Sequence, residues 1–118
     1  MRLRAGQRLR RSVEFRAVRE QGRRMDCGAF QLTWRVRPDA EASSPARVGV
    51  VASRVAVGNA VHRNAAKRRL RELYRRNQHL VPAGFDLVLT ARAALLRISF
   101  AEATSRFVQA CGKISAHA

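Results

Sequence analysis

Residues 54–76 set eight basic side chains against a single acid, Glu72. Such an excess repels itself unless an anion neutralises it. At about 100° per residue the segment separates two faces. Asn64, Lys67, Arg68, Arg71 and Arg75 recur at steps of three and four, the spacing of neighbours on one helix surface. Ala66, Leu70, Leu73 and Tyr74 gather on another, as a core-facing stripe does. Arginine offers a planar fork that fits phosphate bidentately, and asparagine both donates and accepts. A comb of this kind is suited to gripping a phosphate backbone. A merely solvated charged face would intersperse acids to relieve the repulsion, and here only Glu72 does so. The nucleic-acid surface is therefore the stronger reading.

Catalytic chemistry is harder to find. A metal-dependent nuclease needs clustered carboxylates to hold hard cations. The eight acids are dispersed, with no D-x-D or E-x-K pair on a strand. Asp86, opening a strand pattern, reads as a structural partner for an arginine or a backbone N–H. His62, His79 and His117 lack metal-ligand spacing to any Cys or carboxylate, and Gly58-Asn59 is too little for a phosphate loop. The expectation is a chain with no catalytic residue and no metal site of its own.

The elements that must position the comb follow from local pattern. Ala, Leu, Arg, Lys and Glu favour helix and no proline follows Gly58 until the segment ends, so a helix is expected over 59–77 with Asn59 as its N-cap. Ser12 caps a shorter helix that runs to Gln21 and is closed by Gly22. Phe15 and Val18 share one face of it, Phe15 being either core or a ring on which a base could stack. Over 29–37, Phe30, Leu32, Trp34 and Val36 alternate with Gln31, Thr33, Arg35 and Arg37, predicting a strand with one buried face and Trp34 in the core register. Residues 38–45 read as a loop. The apolar run 48–52 predicts a central strand covered on both faces, and 85–90 another buried strand. With the basic helix between them, these two are spaced like a βαβ crossover, for which the general preference is right-handed. Ser99 and Glu102 have capping-box spacing. Phe100, Ala103, Phe107, Ala110, Cys111 and Ile114 then repeat as a core-facing helix in which Cys111 is a small buried apolar residue.

At 118 residues and 47% apolar, the chain suits one domain spanning 1–118, with 1–11 as a flexible basic arm, rather than a disordered tail. The formal charge is +16, and 22 of the 24 cations are Arg. Codon bias accounts for Arg over Lys but not for the scarcity of acids; a polyanionic partner does. Residues 1–24 carry nine cations and two acids, whereas 25–53 carry three of each, so two basic blocks flank a neutral, strand-like middle. Folding is expected to join the blocks into one patch. Cys27 and Cys111 form no C-x-x-C pair, no apolar segment follows the basic N-terminus, and no run is long enough to span a membrane. These point to the cytoplasm and to no membrane partner.

Residues 58–72, Gly-Asn-Ala-Val-His-Arg-Asn-Ala-Ala-Lys-Arg-Arg-Leu-Arg-Glu, resemble the signature of the protein subunit of bacterial ribonuclease P, G-N-A-V-x-R-N-R-x-K-R-x-L-R-E. Ala65 stands where that family has a second Arg. The resemblance implies an α+β fold: a small mixed sheet of about four strands packed with helices, in αβββαβα order, with a left-handed crossover through the basic helix. It also implies a non-catalytic protein subunit of an endoribonuclease whose RNA subunit removes the 5′ leader of precursor tRNA. By that likeness Arg63, Asn64, Lys67, Arg68, Arg71 and Arg75 would bind the catalytic RNA. Phe15, Phe30, Thr33 and Arg54 would lie nearer the leader. Mg²⁺ would be held mainly by the RNA subunit and substrate, and no small-molecule substrate is implied. The competing readings are a ribosomal or RNA-chaperone protein, a DNA-binding protein and a nuclease acting alone.

Overall fold

The computed structural model describes residues 8–9, 12–37 and 45–116. Helix α1 (Ser12–Gln21) leads into β1 (Arg23–Asp26), β2 (Phe30–Val36) and β3 (Arg47–Val51). A short turn of helix, α2 (Arg54–Val57), precedes the long α3 (Ala60–Asn77). Strand β4 (Phe85–Ala91) and helix α4 (Phe100–Ser115) complete the order, with 3-10 turns at Gln78–Leu80 and Ala93–Leu96. The sheet runs β1-β2-β4-β3. β1 with β2 and β2 with β4 are antiparallel, and β3 with β4 is parallel. The chain must therefore cross over through α3 between β3 and β4, giving the expected α+β architecture with a mixed four-stranded sheet.

Strand pairing sorts the side chains onto two faces. Trp34, Leu87 and Val48 stand in one row and Leu32, Leu89 and Val50 in another, all on the face covered by α3 and α4. Against them pack Leu70, Leu73, Tyr74, Phe107 and Ile114, each at most 1% exposed. The Phe107 ring lies 6.5 Å from Phe30 and 6.4 Å from Tyr74, and Trp34 stacks on Phe85 at 5.5 Å. On the opposite face α1 covers a smaller cluster of Leu9, Val18 and Val88, bordered by Phe15 and Val51. Two glycines admit α1. A Cβ on Gly49 would sit 2.4 Å from the Phe15 ring, and one on Gly22 would sit 2.3 Å from the Val18 carbonyl oxygen and 2.6 Å from that of Trp34. Backbone cannot step aside as a ring can. Gly22→Ala is thus expected to cost about 1–3 kcal/mol, read as a lower urea midpoint at unchanged slope.

The structure corrects one expectation and shows elements that the local pattern did not. The run at 48–52 is an edge strand, not a central one; it is apolar because α3 lies on one side of it and Phe15 on the other. β1 was not legible, since Arg-Arg-Met-Asp has no apolar alternation and three of its four residues are exposed. Of the arm at 1–11, Arg8 and Leu9 are pinned, Leu9 N–H donating to the Val48 carbonyl at 3.0 Å, and the rest lies outside the described residues. The segment leading into the basic helix holds α2, capped by Ser53 Oγ accepting from Ala56 N–H at 3.1 Å. The loop read at 38–45 lies, except for Pro45, outside the described residues.

Cys27 and Cys111 are free and buried. Burial pushes their thiols up to about 11 and about 12 respectively. Both stay protonated at neutral pH, and the thiolate is the nucleophile. Alkylation by iodoacetamide at pH 8 is expected to be slow in the native protein and fast in denaturant, as followed by mass spectrometry.

Candidate nucleic-acid interface

Helix α3 is locked in rotation. Asn59 caps it, Oδ1 accepting from His62 N–H at 3.0 Å, and Gly58 takes φ 108°, which a side chain would strain, to turn the chain out of α2. Ala66, Leu70, Leu73 and Tyr74 are buried as the spacing predicts, with Asn77 beside them donating to the Leu73 carbonyl at 2.8 Å. This apolar stripe leaves another arc of the helix turned toward solvent. On it Asn64, Arg68 and Arg71 are exposed and Lys67 is half-buried. Among the described residues none of these four side chains hydrogen-bonds or ion-pairs within the protein. They form the unpaired comb.

The other basic groups of α3 are committed elsewhere. Arg75 is not a free member of the comb: its guanidinium is bonded to Glu72, with Nε 3.1 Å from Oε2, and Arg76 Nε reaches Glu72 Oε1 at 2.7 Å. Hydrogen bonds from Arg75 and Arg76 hold the Glu72 carboxyl down at about 2. A carboxylate depressed in the folded state contributes above its unfolded pKa, and this contribution is lost only as pH falls through about 2. Glu72 therefore neutralises part of the helix at every physiological pH. Glu72→Gln is expected to tighten RNA binding about two- to fivefold and steepen its salt dependence, measured by titration at several KCl concentrations. Arg69 points to the far side, donating to the Leu95 and Ile98 carbonyls at 2.7 and 2.6 Å, where it fixes the Ala93–Leu96 turn. Arg63 is half-buried, its Nε enclosed and, among the described residues, without a hydrogen-bond partner.

The four residues placed nearer a leader divide. Phe30 is wholly buried on the α4 face against Phe107, so it presents no ring to a ligand. Thr33 is 3% exposed, sharing a row with Val88 beneath α1. Alternation told the two faces of β2 apart but not which would be roofed by helix. Phe15 is half-buried on α1 and Arg54 is exposed at the start of α2. A cleft of about 80 Å³ at the β3 edge is lined by Arg8, Leu9, Phe15, Val48, Gly49 and Arg71. Phe15 and the comb residue Arg71 thus share one concavity. Sequence reading missed it; the available signal was Gly49 interrupting an apolar strand.

One acid lies deep in the fold. Asp86 is wholly buried and bonded by Arg47 through Nε at 2.9 Å and Nη2 at 2.8 Å, with Arg35 at 3.4 Å. It has the structural role expected of it. Among the described residues no three His, Cys, Asp or Glu lie together as metal ligands, so the residues described do not fit a protein-held Mg²⁺. Among them, too, no helix is long and apolar enough to cross a membrane.

Compared with known proteins, the sequence matches the Ribonuclease P family over residues 3–115. The chain belongs to the ribonuclease P protein family. It is 42% identical to the ribonuclease P protein component of Salinispora tropica over 104 residues, covering 75% of this chain and 76% of that one. The component from Acidothermus cellulolyticus is 35% identical over 92% of this chain and 88% of its own. The RNase P protein from Thermotoga maritima superposes with a TM-score of 0.75 at 27% identity, covering 90% of this chain and 96% of that one. That from Staphylococcus aureus reaches 0.74 at 21% identity over 92% and 94%, a likeness of fold. Of residues 58–72, on which the resemblance rests, all but Gly58 and Asn59 fall on α3, the helix from which the comb projects.

Proposed function

We propose that this chain, as a single RNA-binding domain, is the protein component of a cytoplasmic ribonuclease P ribonucleoprotein. Asn64, Lys67, Arg68 and Arg71 dock on the catalytic RNA subunit. The neighbouring cleft, with Phe15 and Arg71 on its walls and Arg54 nearby, takes the single-stranded 5′ leader of precursor tRNA. The observation that carries this reading is the comb itself: four polar side chains on one helix, without a partner among the described residues, three of them exposed. Cations without internal partners bind phosphate without first breaking a bond.

Hydrolysis of the leader belongs to the RNA subunit, and Mg²⁺ ions held by RNA and substrate supply the metal-assisted chemistry. The protein's part is to neutralise phosphates and hold the leader, which lowers the metal concentration the RNA needs by relieving repulsion. Adding the purified chain to its cognate catalytic RNA should accelerate 5′-end maturation of precursor tRNA, most at low Mg²⁺. Co-sedimentation with ribosomal particles and no stimulation of maturation would instead favour a ribosomal or chaperone role.

A further inference from the structure

Helix α1 is clasped to the sheet at both ends through one buried acid. Near its start, the Glu14 carboxylate accepts from Arg47 Nη1 at 2.6 Å; at its last residue, Gln21 Oε1 accepts from Arg35 Nη1 at 2.7 Å. Both arginines are anchored on Asp86, Arg47 bidentately and Arg35 through Nη2 at 3.4 Å. Register explains the convergence, because Arg35, Asp86 and Arg47 are cross-strand partners on β2, β4 and β3. Arg37 approaches the same carboxylate more loosely, at 3.7 Å.

Helical spacing puts Glu14 and Gln21, seven residues apart, on one flank of α1. Phe15 and Arg19, four apart, share the other flank, with Val18 buried between. The network therefore stands behind α1, while the cleft with Phe15 opens in front of it. Directional charged bonds hold a helix at one position where apolar contacts alone would let it slide. Glu14 and Asp86 offset two of the three charges of Arg35, Arg37 and Arg47, so the network adds little attraction for RNA of its own.

We propose that Asp86, acting through Arg47 and Arg35, is a positioning device: it sets where α1 lies over β3, and so the cleft in which Phe15 meets an unstacked base of single-stranded RNA. This deepens the leader reading above and rests on it. Asp86, Arg35 and Arg47 are positioning residues; none needs to touch the nucleic acid.

The test leaves Asp86 in place and releases the clasps with Glu14→Gln and Gln21→Ala, singly and together, in the full chain. Affinities are measured for a labelled single-stranded RNA decanucleotide and for the cognate catalytic RNA, with amide exchange across α1. The double variant should bind the decanucleotide about fivefold or more weakly, the loss of part of one stacking contact. Its affinity for the catalytic RNA should stay within about twofold. Exchange should quicken in α1 and not in β4. Glu14→Gln removes a negative charge, so electrostatics alone would tighten RNA binding; a weakening has the opposite sign and reports position. Unchanged decanucleotide affinity, or equal loss for both RNAs, overturns the inference. If the unsubstituted chain binds the catalytic RNA but not the decanucleotide, the leader reading itself fails and the inference goes with it.

Discussion

Alanine at Lys67, Arg68 and Arg71 together is expected to weaken binding of the catalytic RNA by about two orders of magnitude at moderate salt and to reduce the salt slope by about three. The fold should survive. Among the described residues these side chains have no partner within the protein, and none belongs to the buried stripe that seats α3. Thermal melting of the triple variant is accordingly expected to match the parent. Arg68→Ala alone should slow precursor-tRNA processing at low Mg²⁺ and recover as Mg²⁺ is raised, because added metal replaces a lost cation. Alanine at Arg69 should behave in the reverse manner. Its bonds to Leu95 and Ile98 are internal, so stability falls and the salt slope holds. Equal effects from the two substitutions would mean that charge alone, not its placement on the helix, governs binding.

The second large effect is on stability. Asp86→Ala removes the only carboxylate that Arg35 meets among the described residues and leaves Arg47 with Glu14 alone. Breaking a buried pair from one side costs about 3–5 kcal/mol, since the remaining charge is uncompensated. For a small domain that is a large share of the total, and urea denaturation should show a much lower midpoint. Asp86→Leu combined with Arg47→Met should recover part of the loss, because an apolar pair of similar volume escapes the desolvation penalty. If Asp86→Ala melted like the parent, the buried network would be ornamental, and the role given to it in placing α1 would fall.

The parts of this molecule that were readable in advance are those where one periodicity decides one outcome. The rotation of α3 followed from Ala66, Leu70, Leu73 and Tyr74, its start from Asn59, and that of α4 from Ser99, whose Oγ accepts from Glu102 N–H at 3.0 Å. Trp34 fell in the buried register and is buried. What could not be read depends on partners distant in sequence. Strand β1 exists because Arg24 and Met25 pair with Thr33 and Leu32, not because Arg-Arg-Met-Asp favours extension. Phe30 and Thr33 lie on opposite faces of β2, yet both are covered, one by α4 and the other by the row beneath α1. Charge was misread in the same way. Helical spacing already left Arg69 off the comb but placed Arg75 with Arg68; Arg75 is tied to Glu72, and only the folded chain separates it from the comb.

The docking of α3 is tested most directly by photocrosslinking in the reconstituted ribonucleoprotein. Val61, 74% exposed and two helical turns from Arg68, would carry the photoreactive side chain, with Gln109 on the exposed side of α4 as the comparison. Adducts to the catalytic RNA from position 61 and none from 109 are the predicted result. Adducts from 109, with position 61 silent, would contradict it.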